Sequence, residues 1–322
     1  MLKIIEYQKK NYHHWNNFIE KSNNGTIFHR LDFLSYHGKK FQKNANHLLW
    51  LKGTEIYAVM PLGILPKSGK KIALSPFGAS WGGLVTGEKF KLKYVFEVVE
   101  SLVEYLKRRK ISEILITPTP MCYFRSYSSY FDFVLSSLGF KLINREVLNV
   151  TKLPKNSEKV WERLDKKCRN QTRSALKNFT LKENVKAKEF YPILIEDKHR
   201  HGAEPTHSLE DLEYLERNLS RMIRFDVAQN SEGQRAGIGY FISNASTLMT
   251  FYMAQEDAAM GKNGLNALVL RGIERAVKEG FEYLDFGISS RNNQPYLGLA
   301  EFKENFSGFS GFTRDTYQMK LK

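Results

Sequence analysis

Phe281-Glu-Tyr-Leu-Asp-Phe-Gly-Ile-Ser-Ser290, followed by Gly298-Leu-Ala-Glu-Phe-Lys-Glu-Asn-Phe-Ser-Gly308, is the stretch on which the reading of this chain turns. An apolar run ends on Asp285-Phe286-Gly287, a polar loop follows, and Phe302-Lys303 arrives just before a turn rich in Gly and Phe. A buried strand that ends on an Asp and a Gly, with a Lys returning nearby, is a common way to build a site at a strand's carboxyl end. Asp-Phe-Gly is also a metal-binding tripeptide of protein kinases. No Gly-rich phosphate loop, His-Arg-Asp catalytic loop or Ala-Pro-Glu motif accompanies it, which removes that reading.

Working outward, 322 residues suggest two domains. An aromatic content of 13% supplies packed cores and excludes a disordered chain. Two cysteines, Cys122 and Cys168, exclude a disulfide framework and fit a reducing compartment. The first ten residues lack the apolar core of a signal peptide. No apolar run approaches the ~18 residues needed to span a bilayer. The expectation is a soluble, cytoplasmic protein. The net charge of +15 favours an anionic partner: a phosphorylated or CoA-bearing substrate, RNA or an anionic membrane face. No long like-charge block occurs, so folded elements carry the basic residues.

The chain reads as two halves of similar element order, with a boundary at Pro154 and Asn156-Ser157, giving domains 1–153 and 154–322. In the first, a helix over His13–Lys21 precedes paired strands at Leu48–Leu51 and Ile56–Leu65, a helix over Phe90–Arg109 and a strand at Glu113–Thr117. In the second, a helix is expected over Glu158–Lys177, a strand at Val185–Phe190 and a helix at Leu209–Met222. Three antiparallel strands, Arg224–Ala228, Gly237–Ser243 and Leu248–Ala254, lead to a helix over Leu265–Lys278, a strand at Tyr283–Phe286 and a last strand at Tyr317–Lys320. That order is a mixed α/β (α+β) sheet, neither a Rossmann run nor a barrel.

Four further groups carry chemistry. Gly261, Lys262 and Gly264 stand just before a helix, where backbone N–H groups hold a pyrophosphate, although Glu256 and Asp257 oppose an anion. Arg169, Arg173 and Lys177 recur every four residues with Asn170 beside them, a stripe suited to phosphate oxygens or to solvent. Trp81, with Gly82 and Gly83, offers a flat face and close backbone approach, or a tight turn. His199, His201 and His207 lack the partners of a zinc site; the stretch reads as a polar loop, or as one that places His199 and His207 at a site rim. Cys168 sits on a buried helix side and is a poor nucleophile.

Trp15–Ile19 with Thr26-Ile-Phe-His-Arg-Leu-Asp-Phe33, Met60-Pro-Leu-Gly63, Ser75–Gly83, Arg169–Lys177, and Asp285-Phe286-Gly287 with Phe302-Lys303 together resemble the Fem-type branch of the GNAT superfamily, in an order that runs over most of the chain. The resemblance implies two GNAT-like domains in tandem and transfer of an acyl group from a thioester, acetyl-CoA or another acyl-CoA, to the amine of an amino sugar or cell-envelope precursor. Its alternative is aminoacyl transfer from tRNA to a peptidoglycan precursor; the chain lacks the long coiled-coil insertion of members with a tRNA-contacting arm. No metal and no DNA are implied. Lys303 is placed near the developing oxyanion or the donor's phosphate, and Asp285 at the strand end, where it orders the site or acts as a base. Arg169, Asn170, Arg173 and Lys177 are placed on substrate phosphates, Gly261, Lys262 and Gly264 on the cosubstrate, and Trp81, Gly82 and Gly83 in the acceptor cleft. An RNA-binding module and a non-catalytic GNAT fold stand as readings of another class.

Overall fold

The computed structural model describes residues 2–244, 246–307 and 311–321. The chain divides into two compact units, Met1–Glu146 with Phe312–Lys322, and Val147–Gly311. The expected boundary at Pro154 therefore moves to a point inside a strand. The last strand, Gly311–Lys320, groups with the first unit. The turn at 308–310 lies outside the described residues.

In the first unit, β1 (Lys3–Glu6), α1 (Tyr12–Lys21), α2 (Leu31–Leu34) and α3 (Gly38–Gln42) lead to β2 (Leu48–Lys52) and β3 (Glu55–Met60). Pro61-Leu62 breaks the expected long strand, and β4 (Gly63–Lys67) pairs instead with β5 (Lys70–Ser75). After β6 (Val85–Thr86) comes α4 (Leu92–Arg108), whose Val95, Val98, Val99, Leu102 and Leu106 bury one helical stripe. β7 (Glu113–Ile116) runs parallel to β5 and antiparallel to the C-terminal strand, and α5 (Tyr130–Ser137) packs on α4. Two histidines are buried among these elements. His29 donates its Nε2–H to the Gly82 carbonyl (3.1 Å) and accepts the Thr26 N–H at Nδ1 (3.1 Å). His47 accepts the Leu62 N–H at Nδ1 (3.1 Å). Each geometry needs a neutral ring, and burial lowers both groups from 6.5 to about 4.

β8 (Lys141–Lys152) carries the chain into the second unit. There α6 (Val160–Arg163) stops at Leu164, and Asp165 caps α7 (Lys166–Asn178) by accepting the Lys167 N–H at 2.8 Å. The single helix expected over this stretch is thus two. β9 (Phe179–Val185) lies earlier than the strand expected at Val185–Phe190, and α8 (Ala187–Arg200) takes over that segment. The helical signal was in the sequence: Ala187, Phe190, Ile193, Leu194 and Asp197 form its buried face. α9 (Leu209–Asn218), β10 (Ile223–Asn230), β11 (Arg235–Ile242) and β12 (Thr247–Gln255) follow, then α10 (Gly264–Lys278) and β13 (Tyr283–Ile288). After the short pair β14 (Ser290–Arg291) and β15 (Gln294–Pro295), α11 (Leu297–Ser307) forms where a polar loop was expected. The sheet order is β8-β13-β12-β11-β10-β9, with α10 packed on its strands and on α7. Gly272 permits that approach, since a Cβ there would stand 2.3 Å from the Tyr240 hydroxyl. Beneath the helix, Arg275 pairs with buried Asp226 (2.7 Å). Among the described residues no helix is long and apolar enough to cross a membrane.

The two neutral histidines set an acid limit on the fold. The unfolded chain binds their protons near pH 6.5 and the folded chain only near 4, so stability falls as pH drops through that window. Urea unfolding should lose about 1.5 kcal/mol per histidine between pH 6.5 and 5, the slope approaching ~1.4 kcal/mol per pH unit only below the unfolded value. An unchanged unfolding free energy across this range would contradict the assigned neutral rings.

Candidate functional site

β12 and β13 are joined through α10, so they run parallel. They pair only between Thr247–Met249 and Tyr283–Asp285. Past that point β12 stays with β11, Tyr240 facing Thr250 and Ala236 facing Gln255. β13 stays with β8, with a register irregularity between Asp285 and Ile288. The parallel strands therefore part at Asp285, and their polar backbone groups beyond it need partners from elsewhere.

Two buried charges hold that point. Asp285 is fully buried, and its Oδ1 accepts the Gly287 N–H at 2.6 Å. Gly287 has φ +77°, a left-handed conformation that other residues adopt at a cost. Lys303 on α11 is only 2% exposed and donates to the carbonyls of Gly287 (3.1 Å) and Ile288 (2.7 Å). The aspartate thus grips the bulge by its N–H and the lysine by its carbonyls. Desolvation lowers the Lys303 ammonium from 10.5 to about 8, and the nearby Asp285 charge opposes the shift.

Beside Lys303, Phe302 lines a cleft of about 220 Å³ together with Gln171, Gly261, Asn263, Asn266 and Phe306. The N-terminus of α10 opens there. Asn263 precedes the helix with φ +64° and makes no side-chain capping bond. The first-turn N–H groups of Gly264 and Leu265 lie at positions that have no intrahelical acceptor. The two acidic residues that seemed to oppose an anion are neutralised: Glu256 by Arg235 (2.7 Å) and Asp257 by Arg200 (2.5 Å). An uncapped helix N-terminus, the exposed Lys262 and a concave wall together suit an anionic group.

The cleft draws its α7 wall from Cys168 and Gln171, while the arginine stripe is engaged elsewhere. Arg169 donates to the Leu164 carbonyl (3.1 Å) and so stitches α6 to α7, and Arg173 lies 5.7 Å above the Trp161 ring. Asn170 and Lys177 are exposed on that helix. Cys168 is buried and raised to about 11 by desolvation, which keeps its thiol inert as expected. The expected stacking face of Trp81 is corrected: the ring is fully buried, donates to Thr26 Oγ1 (3.0 Å) and packs against Phe28 and Tyr123. Gly82 and Gly83 belong to the same packing, with Gly82 donating to the Thr117 carbonyl at 2.8 Å and Gly83 to Ser75 Oγ at 2.8 Å. His199 is an exposed partner of Glu204 (3.2 Å). His207 is buried with its Nδ1 2.6 Å from the Tyr252 hydroxyl, a phenol that burial raises far above its usual range. Gln171, Asn266 and Phe306 were not singled out from the sequence; Asn266, one turn past the glycine loop on a buried helix face, was the legible signal.

A β-α-β unit whose parallel strands part at their carboxyl ends, beside an open helix N-terminus, has the layout of the GNAT, or acyl-CoA N-acyltransferase, fold. Solved structures agree. The crystal structure of FemX matches with a TM-score of 0.74 at 14% identity, over 99% of this chain and 97% of that one. L-PGS from Bacillus licheniformis matches at 0.59 and 12% identity, over 96% and 91%. A tandem GNAT protein from the clavulanic acid biosynthesis pathway matches at 0.53 and 10% identity, over 100% and 99%. No family model and no curated protein matches the sequence. The fold is the tandem GNAT fold, shared with the FemX structure.

Two substitutions test the clamp. Asp285→Asn removes the charge that holds the ammonium up, so the Lys303 pKa, read from its side-chain NMR shifts, should fall further below about 8. Gly287→Ala should cost about 1–2 kcal/mol by forcing a left-handed residue. An unmoved lysine titration would separate the two groups that the geometry couples.

Proposed function

We propose that this chain is an N-acyltransferase that moves an acyl group from a CoA thioester to the amine of an amino sugar or cell-envelope precursor. The single observation that carries the reading is a buried lysine at the parting of two parallel strands, one residue along its helix from a cleft at an open helix N-terminus. The net charge of +15 supports an anionic donor.

The acceptor amine attacks the thioester carbonyl; an N–C bond forms and the C–S bond breaks. The amine's proton leaves and the sulfur departs as thiol. The α10 N-terminus and Lys262 bind the donor's phosphates. Lys303 supplies a fixed positive charge where negative charge develops on the carbonyl oxygen. Asp285 orders the strand end through Gly287 rather than acting as base, since its Oδ1 is committed to that N–H. The acceptor's contacts are left to residues outside the Trp81 loop, whose ring is fully buried.

A second reading keeps the same site and changes the donor to an aminoacyl-tRNA ester. It is supported by the fit to FemX, which at a TM-score of 0.74 exceeds that to the tandem GNAT protein at 0.53. A donor screen with acetyl-CoA, longer acyl-CoAs and charged tRNA decides between them.

With the productive donor, Lys303→Met should cut turnover by roughly 10²–10³, the scale of a lost oxyanion stabiliser. Wild-type rate should decline as pH rises through about 8, where the ammonium loses its proton, and Lys303→Arg should abolish that limb. Full activity in a folded Lys303→Met variant would overturn the proposal.

A further inference from the structure

The first unit contains a cavity of about 510 Å³, larger than the cleft beside Lys303. Its walls are Tyr7, Tyr12, Leu31, Leu34 and Phe41, and His47 lines it from within the fold. The volume is that of a small-molecule site, and the aromatic and aliphatic walls alternate with six polar residues, Glu6, Lys9, Ser35, Gln42, Asn46 and His47.

The polar groups have defined states. His47 is 8% exposed and accepts the Leu62 N–H at Nδ1, so its single proton sits on Nε2. Every interaction of this ring is accounted for, and among the described residues none provides an acceptor for Nε2–H. That donor opens onto the cavity, where water or a ligand supplies the acceptor that the protein does not. Glu6, the one carboxylate of the lining, is already occupied: Tyr105 donates to it at 3.0 Å, Arg109 pairs with it, and Asn46 reaches its other oxygen at 3.4 Å. Lys9 adds a positive charge on the exposed side. The cavity therefore offers donors and a cation, with its acid already satisfied, between flat apolar walls.

We propose that this cavity binds a small planar aromatic molecule through a carbonyl or carboxylate oxygen that accepts the His47 Nε2–H, with the ring held among Tyr7, Tyr12 and Phe41. The site is independent of the acyl-transfer reading, since all of its lining residues belong to the first unit.

The test uses the whole protein with three probes: benzamide, benzoate and benzylamine. ¹⁵N-edited NMR of the His47 ring should show its Nε2–H resonance shifting with low-millimolar benzamide and benzoate, which compete with one another, and not with benzylamine. Because His47→Phe also strands the Leu62 N–H and endangers the fold, the decisive variant is Gln42→Trp, an exposed residue of the lining whose enlargement closes the cavity. It should weaken both acceptor-bearing probes at least tenfold. Benzylamine binding as well as the others, no probe moving the His47 signal, or undiminished binding in Gln42→Trp would each overturn the proposal.

Discussion

A lysine ammonium that is 2% exposed must find partners inside the protein or give up its charge. Lys303 finds them in two consecutive carbonyls, those of Gly287 and Ile288, and in the field of Asp285. Those carbonyls are available only because β13 leaves β12 at Asp285 and bulges against β8. The bulge in turn needs a left-handed residue, supplied by Gly287, and an acceptor for its N–H, supplied by Asp285. Removing any one of the three leaves another with an unmet buried group. The parting of the strands and the charge at their parting are therefore one feature.

The same economy of polar groups governs the first unit, with the opposite outcome. His29, Trp81 and Thr26 close a buried network whose donors and acceptors are matched within the unit. The aromatic loop that looked suited to ligand binding is spent on packing. His47 differs from His29 in one respect: its Nδ1 is satisfied while its proton-bearing Nε2 has no acceptor among the described residues. Burial alone does not separate the two histidines; the count of their hydrogen bonds does.

Much of the fold was legible in the sequence because hydrophobic period follows burial. The stripe of α4, the antiparallel run β10–β12 and the helix α10 all announced themselves by spacing. What stayed hidden has physical reasons. α11 has a buried face that includes Lys303, so a count of apolar positions finds little there. The break between α6 and α7 comes from one side-chain oxygen, Asp165 on the Lys167 N–H, within a stretch whose apolar period continues unbroken. The strand expected at Val185–Phe190 gave way to α8 because the i, i+3, i+4 pattern from Ala187 extends further than the alternation does. Of the site, Asp285, Gly287, Lys303 and the loop before α10 were readable as strand-end and helix-start chemistry. The engagement of Arg169 and Arg173 by Leu164 and Trp161 was not, since it depends on a chain turn that spacing does not encode.

The central claim is that one donor spans the α10 N-terminus and the clamp at β13. Amide NMR of the whole protein titrated with a non-hydrolysable acyl-CoA thioether tests it directly. Gly264 and Leu265, at the helix start, and Gly287 and Ile288, at the clamp, should shift together along one binding curve. Shifts confined to exposed lysine-bearing surface, with those four amides unmoved, would contradict it.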